Sequence, residues 1–121
     1  MGWVVVIFWL SVDSDPPSPG AEGSTLSSLV PYVGHVAMYA VLAALLLAWR
    51  WSTHGMARPM LPAALAIFLV ATVYGGGLEL YQVSLAERTG SWSDALLNAG
   101  GAAGALVGMA GLRVLRRRTP R

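Results

Sequence analysis

Long apolar stretches separated by short polar segments dominate the pattern of this chain. No charged residue occurs in residues 23–49, 59–78 or 95–112. A helix rises ~1.5 Å per residue and needs about 20 apolar residues to cross the ~30 Å hydrocarbon core of a bilayer. The second and third stretches therefore each predict one membrane-spanning helix. The first stretch is longer and predicts one such helix together with part of a loop.

The first residues of the chain, 1–12, form a further apolar segment that is short for a membrane span. As a helix it reaches about 18 Å, which is less than the thickness of the hydrocarbon core. It lacks the basic start and the small-residue cleavage site of a signal peptide. We interpret it as the outer part of a first transmembrane helix, which is either truncated at its start or accommodated by tilt and local thinning of the bilayer.

Prolines and polar segments set the boundaries of the predicted helices. Pro16 and Pro17 stop a helix within a solvated loop over residues 13–30. Pro31 suits the first turn of the helix that follows. The sequence thus predicts a single all-α domain over residues 1–121, a four-transmembrane-helix bundle. Its helices lie at about 1–12, 31–49, 59–85 and 93–112, followed by a basic tail at 113–121.

Composition and charge support a membrane location and predict an orientation. The chain is 55% hydrophobic and 12% charged, whereas a soluble domain carries about 25% charged residues. All 8 basic residues are arginines, and all but Arg88 lie in the second loop or the tail. The acidic residues lie in or near the first and third loops. The positive-inside rule therefore predicts that both termini face the cytoplasm and that the first and third loops face outward.

Composition also narrows the setting and the classes of function. The bias towards Ala, Gly, Val and Arg suggests a bacterial gene, and hence the cytoplasmic (inner) membrane of a bacterium. The chain has no cysteine, which excludes disulfide and thiolate chemistry. Its basic residues flank predicted membrane helices, a placement that predicts no nucleic-acid partner.

Ionisable residues within membrane segments are candidates for function, because burying them in lipid is unfavourable. Each of the three long helices carries one near the predicted outer face, with a polar neighbour three or four residues further on. These pairs are His35 with Tyr39, Glu79 with Gln82, and Asp94 with Asn98. Residues at these spacings share a helix face, so the three helices are predicted to present polar groups inward at similar depth. Arg88, the only basic residue of the outer loops, suits recognition of a phosphate or carboxylate.

Structural explanations compete with the functional ones. Ser91 and Asp94 have the spacing of a capping box at the start of a helix. Asn98 could serve only as a hydrogen-bonding link between helices. The spacing of His35, Glu79 and Asp94 matches no metal-ligand signature, so the sequence predicts neither a metal nor a cofactor.

Glycines recur every four residues on the last helix, at Gly100, Gly104 and Gly108, with Gly101 beside them. Small residues at this spacing let two helix backbones approach closely in lipid. The pattern favours packing within the bundle, and contact between copies in a homo-oligomer is the alternative.

Two runs of polar residues resemble the VanZ-like family of small bacterial membrane proteins. They are Glu79-x-x-Gln82 followed by Arg88-x-x-Ser91-x-x-Asp94-x-x-x-Asn98-x-x-Gly101, and the earlier His35-x-x-x-Tyr39-x-x-Leu42. Where that family usually has Asp-Lys shortly before the histidine, this chain has Pro31 and Tyr32. The resemblance implies a multi-pass protein of the cell envelope, and the family's namesake is associated with low-level resistance to teicoplanin.

Three hypotheses of function follow. In the first, a non-enzymatic protein binds a membrane lipid or a lipid-linked envelope precursor at the outer leaflet. The residues it would use are Glu79, Gln82, Arg88, Asp94 and Asn98. In the second, an intramembrane enzyme uses Glu79 or His35 as a general base with Asp94 as its partner. In the third, the bundle is a scaffold that holds a partner protein through its glycine face.

Overall fold

The computed structural model is helical throughout the segments it describes, residues 2–12, 25–55, 60–85 and 91–118. Its helices are α1 (Gly2–Val12), α2 (Thr25–His54), α3 (Met60–Val83) and α4 (Trp92–Arg118). By length and composition, α2, α3 and α4 can each cross a membrane, and α1 is the short helix. The chain is thus a small multi-pass membrane protein with a short first helix, as its hydrophobic pattern predicts.

Two helices are longer than the sequence predicts. Helix α2 begins at Thr25, so Pro31 lies inside the helix and not in its first turn. A proline at this position removes one hydrogen bond, to the carbonyl four residues earlier, and the six residues before it still wind into a helix. Helix α4 continues to Arg118, within the predicted basic tail, because arginine is a good helix former and cations are favourable at a helix carboxyl end.

The three long helices alternate in direction. Short connections at 55–59 and 84–91 make α3 antiparallel to both neighbours, so α2 and α4 run parallel to each other. Helix α4 is the centre of the packing, because α2 contacts it most extensively and α3 contacts it next. The core between the helices consists mainly of Tyr39, Leu42, Ala43, Leu47, Ile67, Ala71, Leu78, Ala102 and Leu106. Many large apolar side chains, such as Leu61 and Leu69, are exposed, as expected of a surface that faces lipid.

The closest approach between α2 and α4 occurs at Gly101. A Cβ atom added there would lie 2.2 Å from the backbone oxygen of Val36. A Cβ atom at Gly100, Gly104 or Gly108 would meet nothing within 4 Å, and all three glycines are exposed. The prediction that these three glycines pack within the bundle is therefore wrong. They face outward, and of the four glycines only Gly101 makes a close approach to another helix. Contact between copies of the chain through Gly100, Gly104 and Gly108 stays a prediction.

Side-chain hydrogen bonds attach α1 to the rest of the bundle. They run from Trp3 Nε1 to Met38 O at 3.0 Å, from Tyr74 Oη to Val4 O at 2.8 Å, and from Gln82 Nε2 to Ser11 O at 2.6 Å. The order of these contacts along the two helices shows that α1 runs parallel to α3. Its carboxyl end therefore lies beside the carboxyl end of α3.

Replacement of Gln82 by leucine is expected to loosen α1. Ser11 O is one of the last carbonyls of its helix and has no partner within that helix. Leaving such a buried group unpaired costs about 1–3 kcal/mol. Hydrogen exchange followed by mass spectrometry should show faster exchange in α1 of Gln82→Leu, with α4 unchanged. Val83→Ala, at the exposed neighbouring position, is the control. Unchanged exchange of α1 would show that this bond does not hold the helix.

Candidate functional site

Three ionisable side chains, one from each long helix, converge near one end of the bundle. His35 lies on α2, Glu79 near the carboxyl end of α3 and Asp94 in the first turn of α4. One nitrogen or oxygen atom from each lies within 4.8 Å of the other two. We call this group the polar cluster. The parallel course of α2 and α4, with α3 antiparallel, brings these positions to the same level.

Asn98 fixes the orientation of the His35 ring. The Nδ1 atom of His35 lies 2.9 Å from Asn98 Oδ1, and Asn98 is only 2% exposed. An amide oxygen can only accept a hydrogen bond, so Nδ1 of His35 carries the proton and donates it. On a neutral ring the lone pair of the second nitrogen, Nε2, is then available. That atom lies 4.0 Å from Asp94 Oδ2.

The first turn of α4 departs from the capping box that its sequence suggests. The Oγ atom of Ser91 accepts a hydrogen bond from the backbone N–H of Ser93 at 3.2 Å, so Ser91 does cap the helix. In a capping box the carboxylate three residues later would accept the backbone N–H of the cap residue. Here that N–H is donated to Glu79 Oε2, at 3.1 Å. A carboxylate from α3 thus takes the capping position, and the Asp94 carboxylate lies close to His35 instead.

The polar cluster brings two acidic side chains close together, one of them buried. Glu79 is 8% exposed, and the Asp94 side chain is 25% exposed. Two charges about 5 Å apart repel by roughly 3 kcal/mol at an effective dielectric constant of about 20. Among the described residues, the arginines lie at the opposite end, since Arg50 is about 22 Å along α2 from His35. A ligand or a cation bound between the two carboxylates would reduce this repulsion.

The other residues singled out from the sequence have different surroundings. Tyr39, one turn from His35, is 1% exposed and packs against Gly75 of α3. Gln82 shares a helix face with Glu79, but its amide is bonded to α1. Arg88 lies outside the described residues. The structure therefore gathers His35, Glu79, Ser91, Asp94 and Asn98 into one site.

A cleft of about 190 Å³ lies beside the polar cluster, between α3 and α4. Its lining is mainly apolar, with the Glu79 carboxylate as its charged group. The lining residues are Gly76, Glu79, Leu80, Val83, Ser91, Trp92 and Ala95. Most of these did not stand out in the sequence. Four of them nevertheless recur on α3 at intervals of three and four residues, the spacing of a single helix face.

A larger cleft of about 400 Å³ lies at the opposite end, between α2 and α3. Arg50 and His54 line it together with apolar residues. Among the described residues, the convergence of His, Glu and Asp occurs at the polar cluster. The chemistry of that cluster, and not the size of the cleft, makes it the stronger functional candidate.

Comparisons with known proteins leave the family of this chain open. Neither a scan against protein-family models nor searches of curated proteins and solved structures find a match. The function of this chain is therefore inferred from the residues of the polar cluster and of the cleft beside it.

Proposed function

We propose that the polar end of this bundle binds the head group of a membrane lipid or of a lipid-linked envelope precursor at the outer leaflet. The observation that carries the proposal is the cleft between α3 and α4. It places a buried carboxylate, Glu79, within walls that are otherwise mainly apolar. A lipid matches this combination, because it joins a polar head group to apolar chains.

The polar groups define which head group would fit. An ionised carboxylate only accepts hydrogen bonds, so Glu79 favours head groups that carry hydroxyl or ammonium donors. Arg88 belongs to the sequence that joins α3 to α4, the two helices that line the cleft. An arginine there suits the phosphate of the same head group, since its planar guanidinium can bind phosphate with two parallel hydrogen bonds.

The proposal includes an orientation in the bacterial cytoplasmic membrane. Arg50 lies near the carboxyl end of α2, and Arg113 and Arg116 lie near the carboxyl end of the parallel helix α4. The positive-inside rule favours the cytoplasm for this end, which leaves the polar cluster at the outer leaflet. In the four-span arrangement, N-in and C-in, α1 also crosses the membrane. The position of its carboxyl end beside that of α3 is compatible with such a crossing.

Kinship with the VanZ-like family is a further part of the proposal. It is supported by the positions of the residues that carry the resemblance, since His35, Glu79, Ser91, Asp94 and Asn98 lie together. A contribution to teicoplanin tolerance would require the occupant of the cleft to be a lipid-linked precursor of the cell envelope. The mass of a retained lipid distinguishes such a precursor from an ordinary phospholipid.

Native mass spectrometry of the purified full chain tests the binding. Wild type should retain a lipid, and the amount retained by Glu79→Gln and by Gly76→Leu should be at least about tenfold lower. The first change removes the carboxylate charge, and the second places a side chain in the cleft. Gly77→Leu is the matched control, because a Cβ at either glycine meets nothing within 4 Å but only Gly76 lines the cleft.

Retention that is equal in wild type, Gly76→Leu and Gly77→Leu would exclude the cleft as the binding place. Equal loss in both glycine variants would point to a general effect on the lipid-facing surface. If Glu79→Gln retains as much lipid as wild type but Gly76→Leu loses it, the apolar walls of the cleft bind the acyl or prenyl chains of the lipid. The carboxylate then does not recognise the head group.

A further inference from the structure

We infer that His35, Glu79 and Asp94 form a binding site for a divalent transition-metal ion such as Zn²⁺. This inference goes beyond the binding of a lipid and does not depend on it. One imidazole and two carboxylates offer nitrogen and oxygen ligands of the kinds that Zn²⁺ accepts. The imidazole favours a transition metal over Mg²⁺ or Ca²⁺, which prefer oxygen ligands alone.

The distances between the ligand atoms are close to those of a metal site. Two ligands about 2.1 Å from a tetrahedral ion lie roughly 3.4 Å apart. His35 Nε2 and Asp94 Oδ2 are 4.0 Å apart, and one nitrogen or oxygen atom from each of the three residues lies within 4.8 Å of the other two. These atoms therefore lie at most about 1.4 Å farther apart than the ligands of one ion, a difference that rotation of the three side chains would have to close.

The surroundings of the ligands are also those of a metal site. A histidine that binds a metal usually donates its other N–H to a carbonyl or carboxylate oxygen, which sets its tautomer and orientation. Asn98 Oδ1 provides this oxygen for His35 at 2.9 Å. The backbone N–H of Ser91 similarly holds Oε2 of Glu79. Two of the three ligands are thus oriented by Asn98 of α4 and by Ser91, the residue that caps α4.

Charge is a third and independent argument. Two acidic side chains lie close together, and one of them, Glu79, is buried, where an unpaired charge is unfavourable. Among the described residues, no arginine lies near them that could pair with both. A divalent cation would neutralise two carboxylates and would bind the lone pair of His35 Nε2 at the same time.

The sequence spacing could not disclose this site, because each ligand comes from a different helix. Metal motifs such as HExxH place two ligands on one helix, where their spacing is visible. The protein supplies three ligands here, which leaves a coordination position open, as in catalytic zinc sites. Because Glu79 also lines the cleft, an oxygen of a lipid head group could fill the open coordination position of the ion. This last step rests on the proposed function.

Zinc binding by the full chain in detergent provides the test. The protein is purified without a histidine tag, stripped with a chelator and titrated with Zn²⁺ against a competing indicator. Wild type should bind one equivalent. His35→Gln, Glu79→Gln and Asp94→Asn should each weaken binding by at least about 100-fold, and Asn98→Ala by about 10- to 100-fold. His54→Gln, which removes the exposed histidine at the other end, should bind like wild type.

A second measurement uses wild type alone and so does not depend on the folding of any variant. Co²⁺ in place of Zn²⁺ should give the visible absorption of a protein-bound, low-symmetry ion. The inference is overturned if the Co²⁺ spectrum stays that of the aqueous ion, or if His35→Gln binds Zn²⁺ like wild type. It is also overturned if His54→Gln abolishes binding. Gly76→Leu should keep full zinc affinity, so failure of lipid binding and failure of metal binding can be told apart.

Discussion

Replacement of Gly101 by alanine is expected to destabilise the bundle by about 3 kcal/mol, the upper end of the usual cost of overpacking. The added methyl carbon would lie 2.2 Å from Val36 O and 2.9 Å from Val36 C. Both atoms belong to the backbone of α2, so no side chain can rotate away to make room. The two helices must separate by about 1 Å at this point, and the van der Waals contacts along their interface would weaken together.

The same separation should disturb the polar cluster. Asn98 lies three residues before Gly101 and therefore on the same face of α4. Its bond to His35, next to Val36, depends on the close approach of α2 and α4. We expect Gly101→Ala to lose the His35–Asn98 hydrogen bond, which would be visible in the nitrogen chemical shifts of the His35 ring.

Thermal unfolding in detergent measures the effect on stability, and a loss of this size corresponds to a shift on the order of 10 °C. Gly100→Ala is the matched control. It makes the same chemical change one residue earlier, where a Cβ meets nothing within 4 Å, and it should leave the unfolding temperature within a few degrees of wild type. Equal unfolding temperatures for Gly101→Ala and wild type would show that the helices tolerate the extra methyl group.

The glycines illustrate which parts of this fold the sequence could predict. Uninterrupted apolar stretches determine the long helices, because length and hydrophobicity are nearly sufficient for a membrane span. They do not determine which face of a helix packs inward. Lipid is as apolar as a protein core, so small residues mark a face that can approach another helix without saying which helix it approaches. Gly100, Gly104 and Gly108 have the expected pattern, yet the contact occurs at Gly101.

For the candidate site, too, the sequence indicated some features, and others could be seen only in the structure. Polar residues inside apolar helices indicated His35, Glu79, Asp94 and Asn98, because such residues are unfavourable unless they have partners. Gln82 met the same criterion, but its partner is the end of α1. Helix α1 is apolar around its whole circumference, so its sequence contains no preferred face from which its position could be predicted. The hydrogen bond from Gln82 to Ser11 O could only be found in the structure.

Replacement of Tyr39 by alanine is expected to cost about 3–5 kcal/mol of stability. Tyr39 is the largest fully buried side chain among the described residues. Its ring fills the space between α2 and α3, where Gly75 allows it to approach the backbone, and it also contacts the ring of Tyr74. Truncation would leave a cavity directly beneath the polar cluster. Tyr39→Phe keeps the ring and its packing against Gly75 and Tyr74, so it should cost much less than Tyr39→Ala.

A double-mutant cycle with Gly75 separates packing by the ring from a role in ligand binding. A Cβ at Gly75 would lie 3.0 Å from the Tyr39 ring, so Gly75→Leu alone should destabilise the bundle as well. Combined with Tyr39→Ala, the leucine would occupy the vacated space, and the loss should be smaller than the sum of the two single losses by at least about 1 kcal/mol. Additive losses in thermal unfolding would contradict the shared packing. If Tyr39→Phe unfolds like wild type but no longer retains lipid, the hydroxyl group contacts the ligand, and Tyr39 belongs to the binding site as well as to the core.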